Sequence, residues 1–222
     1  MADAEVGRDP AGLRESLTAS PLLAVLRPSS AMQAERQIEA VCSAGFRHLE
    51  LAWNVELWWP PFLQALPASF PHIRFGIAGL HHADQLDEVK RLGLRFAMSP
   101  IASMAMVERA HQLHLTLVPG VFSPSEVKAY GVATSGGPIK LFPAASLGSA
   151  YWRQLSGPLG PLPFCIAAGG LKPVDVGPWL AAGVQAVALG SSLLDCHDRL
   201  LPGHAASLEA YLETTPRNIE TL

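Results

Sequence analysis

Apolar residues recur along the chain in short, evenly paced runs, with polar and glycine-containing stretches between them. Eight runs stand out: Leu22–Leu26, then residues 48–53, 73–78, 96–99, 115–118, 139–142 and 164–168, then Ala186–Leu189. Each is four to six residues long, which is strand length. Most are continuous rather than alternating, the pattern of strands covered on both faces.

The stretches between them carry helical spacing. Residues 31–44 place Met32, Ile38, Ala40, Val41 and Cys42 around one stripe and Gln33, Glu35, Arg36 and Glu39 outside it. Ser30 is the expected N-cap and Gly45 the stop. Residues 84–92 repeat the pattern with Leu86, Val89 and Leu92 inward, closed by Gly93. Ser123-Pro124-Ser125-Glu126 is a capping-box signature with proline at the first helical position. Residues 173–182 end at Gly183, and 207–214 predict one more helix packed outside. Trp58-Trp59-Pro60-Pro61 and Gly136-Gly137-Pro138 interrupt the second and sixth units.

Strand and helix alternating eight times implies parallel strands joined by right-handed crossovers. At 222 residues the closed (β/α)8 TIM barrel of the α/β class is the expected answer, as a single domain over 1–222. Residues 1–18 would form an N-terminal extension and helix, and 200–222 a C-terminal helix and tail. An open doubly wound sheet would carry a glycine-rich turn after its first strand, and Leu26-Arg27-Pro28-Ser29 is not one.

A hydrophobic content of 49% supports one substantial core. The net charge of -3, without a basic stripe, argues against nucleic acid. No run approaches the roughly 20 apolar residues of a membrane span, and the polar N-terminus lacks a signal-peptide core. Three scattered cysteines without a CxxC point away from disulfides and zinc and toward a reducing cytoplasm. Cys42 and Cys165 read as small core residues.

Barrel enzymes build their sites at the C-terminal strand ends, and three charged residues there invite chemistry. Lys140 lies in the otherwise apolar stretch Ile139-Lys140-Leu141-Phe142. Inside a barrel its ammonium would lose hydration, and a partly neutral amine can attack a ketone. On an edge strand it would only reach out to water. Glu50 points inward if Leu49 and Leu51 face the helices. There it could shuttle protons, or pair structurally with Arg27 or Lys140. Arg27 ends the first strand and suits a carboxylate or phosphate, or equally a neighbouring acid. Ala168-Gly169-Gly170 and Leu189-Gly190-Ser191 follow the last two strands, where barrels often bind phosphate through backbone N–H groups.

These segments resemble the 2-keto-3-deoxy-6-phosphogluconate aldolase family, whose members often also act on 4-hydroxy-2-oxoglutarate. The resemblance rests on Ala24-Val25-Leu26-Arg27, residues 45–51, Ser99-Pro100, Val118-Pro119-Gly120-Val121 with Ser123-Pro124-Ser125-Glu126, Ile139-Lys140-Leu141-Phe142-Pro143-Ala144, Gly169-Gly170 and Gly190-Ser191, in order over residues 22–195. It implies a lysine-dependent lyase in which Lys140 forms an iminium ion with the substrate and Glu50 moves protons. Pro100 and Phe142 would wall the pocket. Gly169, Gly170, Gly190 and Ser191 would hold a phosphate, and Arg27 the carboxylate. It further implies no cofactor or metal, a small keto acid and an aldehyde phosphate as ligands, and a cytoplasmic homotrimer.

The chain also departs from that family. Asn54 stands where an arginine or threonine is common, Ala78-Gly79 where a Gly-Thr pair is usual, and Ala167-Ala168 where Pro-Thr is usual. Asn54, Gly79 and one of His81 or His82 would then have to complete the carboxylate site. Trp53 is large for its place beside Glu50. A non-phosphorylated keto acid such as 4-hydroxy-2-oxoglutarate, or a barrel that binds phosphosugars without turnover, are the competing expectations.

Overall fold

A computed structural model describes residues 12–212. Nine strand segments form one parallel sheet: β1 Leu22–Leu26, β2 His48–Ala52, β3 Arg74–Ala78, β4 Phe96–Met98, β5 Thr116–Val118, β6 Gly120–Val121, β7 Ile139–Leu141, β8 Cys165–Ala168 and β9 Ala186–Leu189. Their order is β5-β4-β3-β2-β1-β9-β8-β7-β6. β5 and β6 are one strand interrupted at Pro119, which has no N–H to give to a ladder. One half bonds β4 (Ser99 N–H to Val118 O, 3.1 Å) and the other bonds β7 (Phe142 N–H to Val121 O, 3.0 Å). The sheet thereby closes as the eight-stranded barrel that the sequence predicts.

Helices α1 Leu13–Ala19, α2 Ala31–Ser43, α3 Trp59–Ser69, α4 Gln85–Arg91, α5 Met104–Leu113, α6 Pro124–Ala133, α7 Ser149–Leu159, α8 Val176–Ala181 and α9 His204–Leu208 accompany the strands. The expected caps are present. Ser30 accepts from Gln33 N–H, and Ser123 and Glu126 complete a reciprocal capping box. Trp58-Trp59-Pro60-Pro61 opens a helix instead of interrupting the unit, with prolines in the first turn where no intrahelical N–H is needed. Met32 is a correction: it is 67% exposed, and α2 buries Ala34, Gln37, Ile38 and Val41 instead. The C-terminal helix begins at His204, earlier than predicted, and passes into a 3-10 turn at Glu209–Tyr211. The predicted extension at 1–11 and the tail beyond 212 lie outside the described residues.

Strand parity splits the core in two. Leu49, Leu51, Ala97, Ile139, Leu141, Ala167 and Val187 pack toward the helices. Leu23, Phe96, Met98, Val118, Ile166 and Ala188 fill the barrel interior. Gly76 makes room there, since a Cβ on it would lie 2.3 Å from the Phe96 ring. Leu13 and Leu17 of α1 belong to the interior cluster and cover the N-terminal end. Ser16 Oγ meets the buried His48 Nε2 at 2.6 Å.

Candidate active site

Ile139 and Leu141 face the helix layer, so Lys140 between them faces the barrel axis. It is 6% exposed, and its Nζ lies 5.3 Å from the centroid of the Phe142 ring. By the same parity Glu50 faces inward between Leu49 and Leu51, and it is 1% exposed. Neither residue lies on an edge or reaches bulk water.

Loss of hydration is the largest influence on both groups, and it always favours the neutral form. It lowers Lys140 to about 8, against the attraction of Glu50 and with the repulsion of Arg27. It raises Glu50 to about 8, against the attraction of Lys140 and Arg27. Glu50 Oε1 is buried and accepts no hydrogen bond from the described residues. Ion pairs among the described residues include Arg36–Asp198, Arg91–Glu88, Arg109–Asp87 and Arg199–Asp195, and none of these four involves Glu50, Arg27 or Lys140. Among the described residues, no hydrogen bond reaches the buried Glu50 Oε1, and Glu50 is not held in a salt bridge with Arg27 or Lys140. Arg27 itself is exposed just past β1, and its charge acts on both interior groups.

The walls are set by backbone geometry. Phe142 packs against Gly169, where φ is +95 and a Cβ would lie 2.8 Å from the ring. Only glycine suits that conformation and that approach. Ser99 Oγ donates to Ile101 O at 2.9 Å and accepts from Ile101 N–H at 3.1 Å, which fixes the turn carrying Pro100. Ser192 Oγ donates to Leu171 O at 2.8 Å and so joins the loop after β9, with Gly190 and Ser191, to the loop after β8, with Gly169 and Gly170.

The residues expected at the carboxylate end carry local hydrogen bonds. Asn54 Oδ1 accepts from Glu56 N–H at 3.0 Å, inside its own loop. Gly79 N–H already donates to Met98 O at 3.0 Å. His81 and His82 are exposed, and their N–H groups both donate to Gln85 Oε1. Arg27 is a cation whose charge reaches both members of the pair. Cavities of about 280 and 630 Å3 open near the N-terminal strand starts, around Leu13, Thr116, Arg74 and Arg95. The ionisable groups converge at the other end, which is where barrel chemistry is done.

The family model for KDPG and KHG aldolase matches residues 13–202. The chain belongs to the KDPG and KHG aldolase family. It is therefore an aldolase, and so a lyase. It is 27% identical over 200 residues to the 2-dehydro-3-deoxy-6-phosphogalactonate aldolase of Escherichia coli (strain K12), covering 88% of this chain and 97% of that one. It is also 27% identical over 191 residues to the KHG/KDPG aldolase of the same organism, covering 84% and 86%. A solved native KDPGal structure superposes with a TM-score of 0.76 at 26% identity, covering 86% of this chain and 94% of that one. The KDPG and KHG aldolase assignment fixes the reaction type, while relatives named for different sugar acids leave the substrate to be argued from the site. No described helix is long and apolar enough to cross a membrane.

Parity and the apolar context made Lys140 and Glu50 readable in advance. Ser99 belongs to the Ser99-Pro100 motif and Ser192 follows Gly190-Ser191, but neither had a role of its own in the sequence reading, whereas their hydroxyls hold the site loops. A serine beside Pro100 and another beside Gly190-Ser191 were the available signals.

Proposed function

We propose that this aldolase cleaves 2-keto-3-deoxy-6-phosphogluconate to pyruvate and glyceraldehyde 3-phosphate through a Schiff base on Lys140. The observation that carries this reading is a dehydrated amine inside the barrel facing a single buried carboxyl group. Lys140 Nζ adds to the C2 ketone, and loss of water gives an iminium ion. Glu50, holding its proton near neutral pH, supplies it to the departing hydroxyl, directly or through a water. The resulting carboxylate then takes the proton of the C4 hydroxyl. As the bond between C3 and C4 breaks, its electrons pass into the iminium, leaving an enamine on Lys140 and a free aldehyde. Protonation at C3 and hydrolysis release pyruvate and the amine. Arg27 holds the carboxylate, and the two loops joined by Ser192 hold the phosphate through backbone N–H groups.

One observation favours a second reading. Ala168 faces the interior just before Gly169 and offers no hydroxyl to a phosphate, which would suit a non-phosphorylated substrate such as 4-hydroxy-2-oxoglutarate. Incubation with pyruvate and borohydride tests the chemistry first. A reduced adduct on Lys140, found by mass spectrometry, is expected, and its absence at saturating pyruvate would overturn the Schiff-base reading. Turnover of the gluconate, of its galactonate epimer and of 4-hydroxy-2-oxoglutarate then ranks the substrates, with the gluconate expected first.

A further inference from the structure

Beyond Gly190 and Ser191 the chain doubles back as a short hairpin. Leu201 N–H donates to Leu193 O at 3.2 Å, Leu194 pairs antiparallel with Leu200, and Asp195 N–H donates to Arg199 O at 2.8 Å. Asp198 sits at its tip with φ +60. Cys196, His197 and Arg199 around it are exposed, yet Asp198 is only 7% exposed.

Its carboxylate is turned onto α2. Oδ1 accepts from Gln33 Nε2 at 3.0 Å and from Gln37 Nε2 at 2.7 Å. Oδ2 accepts from Arg36 Nε at 3.3 Å and from Arg36 Nη2 at 2.8 Å. Residues 33, 36 and 37 share one helix face by their spacing. Burial pushes the Asp198 carboxyl up, and the hydrogen bonds from Gln37, Arg36 and Gln33 outweigh it, leaving the group below its ordinary value. Gln33 passes the connection on. Its Oε1 accepts from Ser29 N–H and from Ser29 Oγ, both at 2.8 Å, in the segment that follows Arg27.

α2 is a firm support, since Ala34, Ile38 and Val41 are buried in the helix layer. The hairpin is thus fastened twice, to the loop after β8 through Ser192 and to α2 through Asp198. Lys140 and Glu50 stand on strands and need neither fastening.

We propose that Asp198 is a positioning residue for phosphate recognition: it locks the hairpin on α2 so that the Gly190-Ser191 amides stay in register with Gly169 and Gly170. This rests on the reading of the two glycine loops as the phosphate cradle. Preorganised donors lose most of their value when displaced by about an ångström. An unlocked hairpin should therefore weaken recognition of the phosphate and leave the keto-acid chemistry alone.

The test compares the wild type with Asp198→Ala and Gln37→Ala on a phosphorylated and a non-phosphorylated substrate, with pyruvate trapping on Lys140 alongside. For Asp198→Ala the expected result is a KM for 2-keto-3-deoxy-6-phosphogluconate raised about ten-fold or more, from misplaced donors. Parameters for 4-hydroxy-2-oxoglutarate and the trapping yield should stay within about two-fold, because they do not use the hairpin. Gln37→Ala retains the Arg36–Asp198 ion pair and the Gln33–Ser29 bonds beside Arg27, so a smaller selective rise is expected, and it serves if Asp198→Ala does not fold. Equal losses on both substrates would make Asp198 merely structural and overturn the proposal, as would an unchanged KM in both variants. A wild type that traps no pyruvate would instead defeat the aldolase mechanism. The positioning role is then read from inorganic phosphate, which should raise the Tm of the wild type and not of Asp198→Ala. Equal rises, or none in the wild type, would overturn it.

Discussion

Lys140 on β7 and Glu50 on β2 stand on opposite sides of the barrel, four strand positions apart in either direction around the ring. They face each other across the axis instead of pairing along a ladder. Gly120 and Ile166 are the strand neighbours of Lys140, and Val25 and Gly76 those of Glu50. None of these four offers a charge, so the two ionisable groups are set mainly by dehydration and by each other.

That arrangement fixes a pH dependence. Below about 8 the Lys140 amine carries its proton and cannot attack, and above about 8 it is free. An ordinary lysine would remain protonated to about 10.4. The rate of adduct formation with pyruvate, measured with cyanoborohydride, should rise with pH and level off above about 8. The Glu50 charge favours the protonated amine, so Glu50→Gln should move this limb to lower pH while slowing turnover. A limb near 10 in the wild type, or a shift to higher pH in the variant, would contradict the assignment.

Gly169 meets Phe142 in a way that only glycine allows. Alanine there would bear a Cβ at φ +95, 2.8 Å from the ring. Backbone strain at such a position costs about 1 to 3 kcal/mol. The displaced ring is the one 5.3 Å from Lys140 Nζ. Gly169→Ala should therefore lower both Tm and kcat, whereas Gly79→Ala, also at positive φ but with nothing within 4 Å of the added Cβ, should lower Tm with less effect on kcat.

A tight interior contact supplies a pure packing test. Gly76→Ala would place a methyl 2.3 Å from the Phe96 ring. Overpacking of this kind costs about 1 to 3 kcal/mol. Phe96→Leu alone should also destabilise, by leaving space beside Gly76. The double variant should recover part of both losses, and urea unfolding of the four proteins measures the coupling.

Much of this was legible in the sequence because parity and period are local properties. Leu49-Glu50-Leu51 and Ile139-Lys140-Leu141 already give two outward hydrophobes around one inward ionisable group, and the barrel only had to close for both to face one axis. The break at Pro119 was less visible, since one strand and two short ones look alike until each half finds a different neighbour. Gln37 and Met32 show where local reasoning ends. Gln37 is buried because its partner Asp198 lies 161 residues away, and nothing on α2 announces it. At about 100° per residue, Met32 stands about 180° from Val41, on the face of α2 turned away from the buried stripe of Ala34, Ile38 and Val41. Helices α5 and α7 also escaped notice among polar residues and an internal proline, Pro158.

Leu17 allows the end cover and the chemistry to be separated. It is fully buried in the interior cluster with Leu13, beneath Leu23 and Phe164, at the end of the barrel remote from the strand termini that carry Phe142 and Gly169. Truncation to alanine removes that packing and leaves a cavity, at a cost of about 2 to 5 kcal/mol. The loss is expected to fall on the whole fold more than on the site, because Leu17 packs at the opposite end of the barrel and the tie from α1 to β2, Ser16 Oγ to His48 Nε2, does not use its side chain. Leu17→Ala should lower the urea midpoint markedly while the folded fraction still traps pyruvate on Lys140 at the wild-type rate. If trapping per folded molecule fell with stability, α1 would have to be counted among the elements that set the dehydration of Lys140, and the pH limb of Leu17→Ala would then lie closer to that of an ordinary lysine.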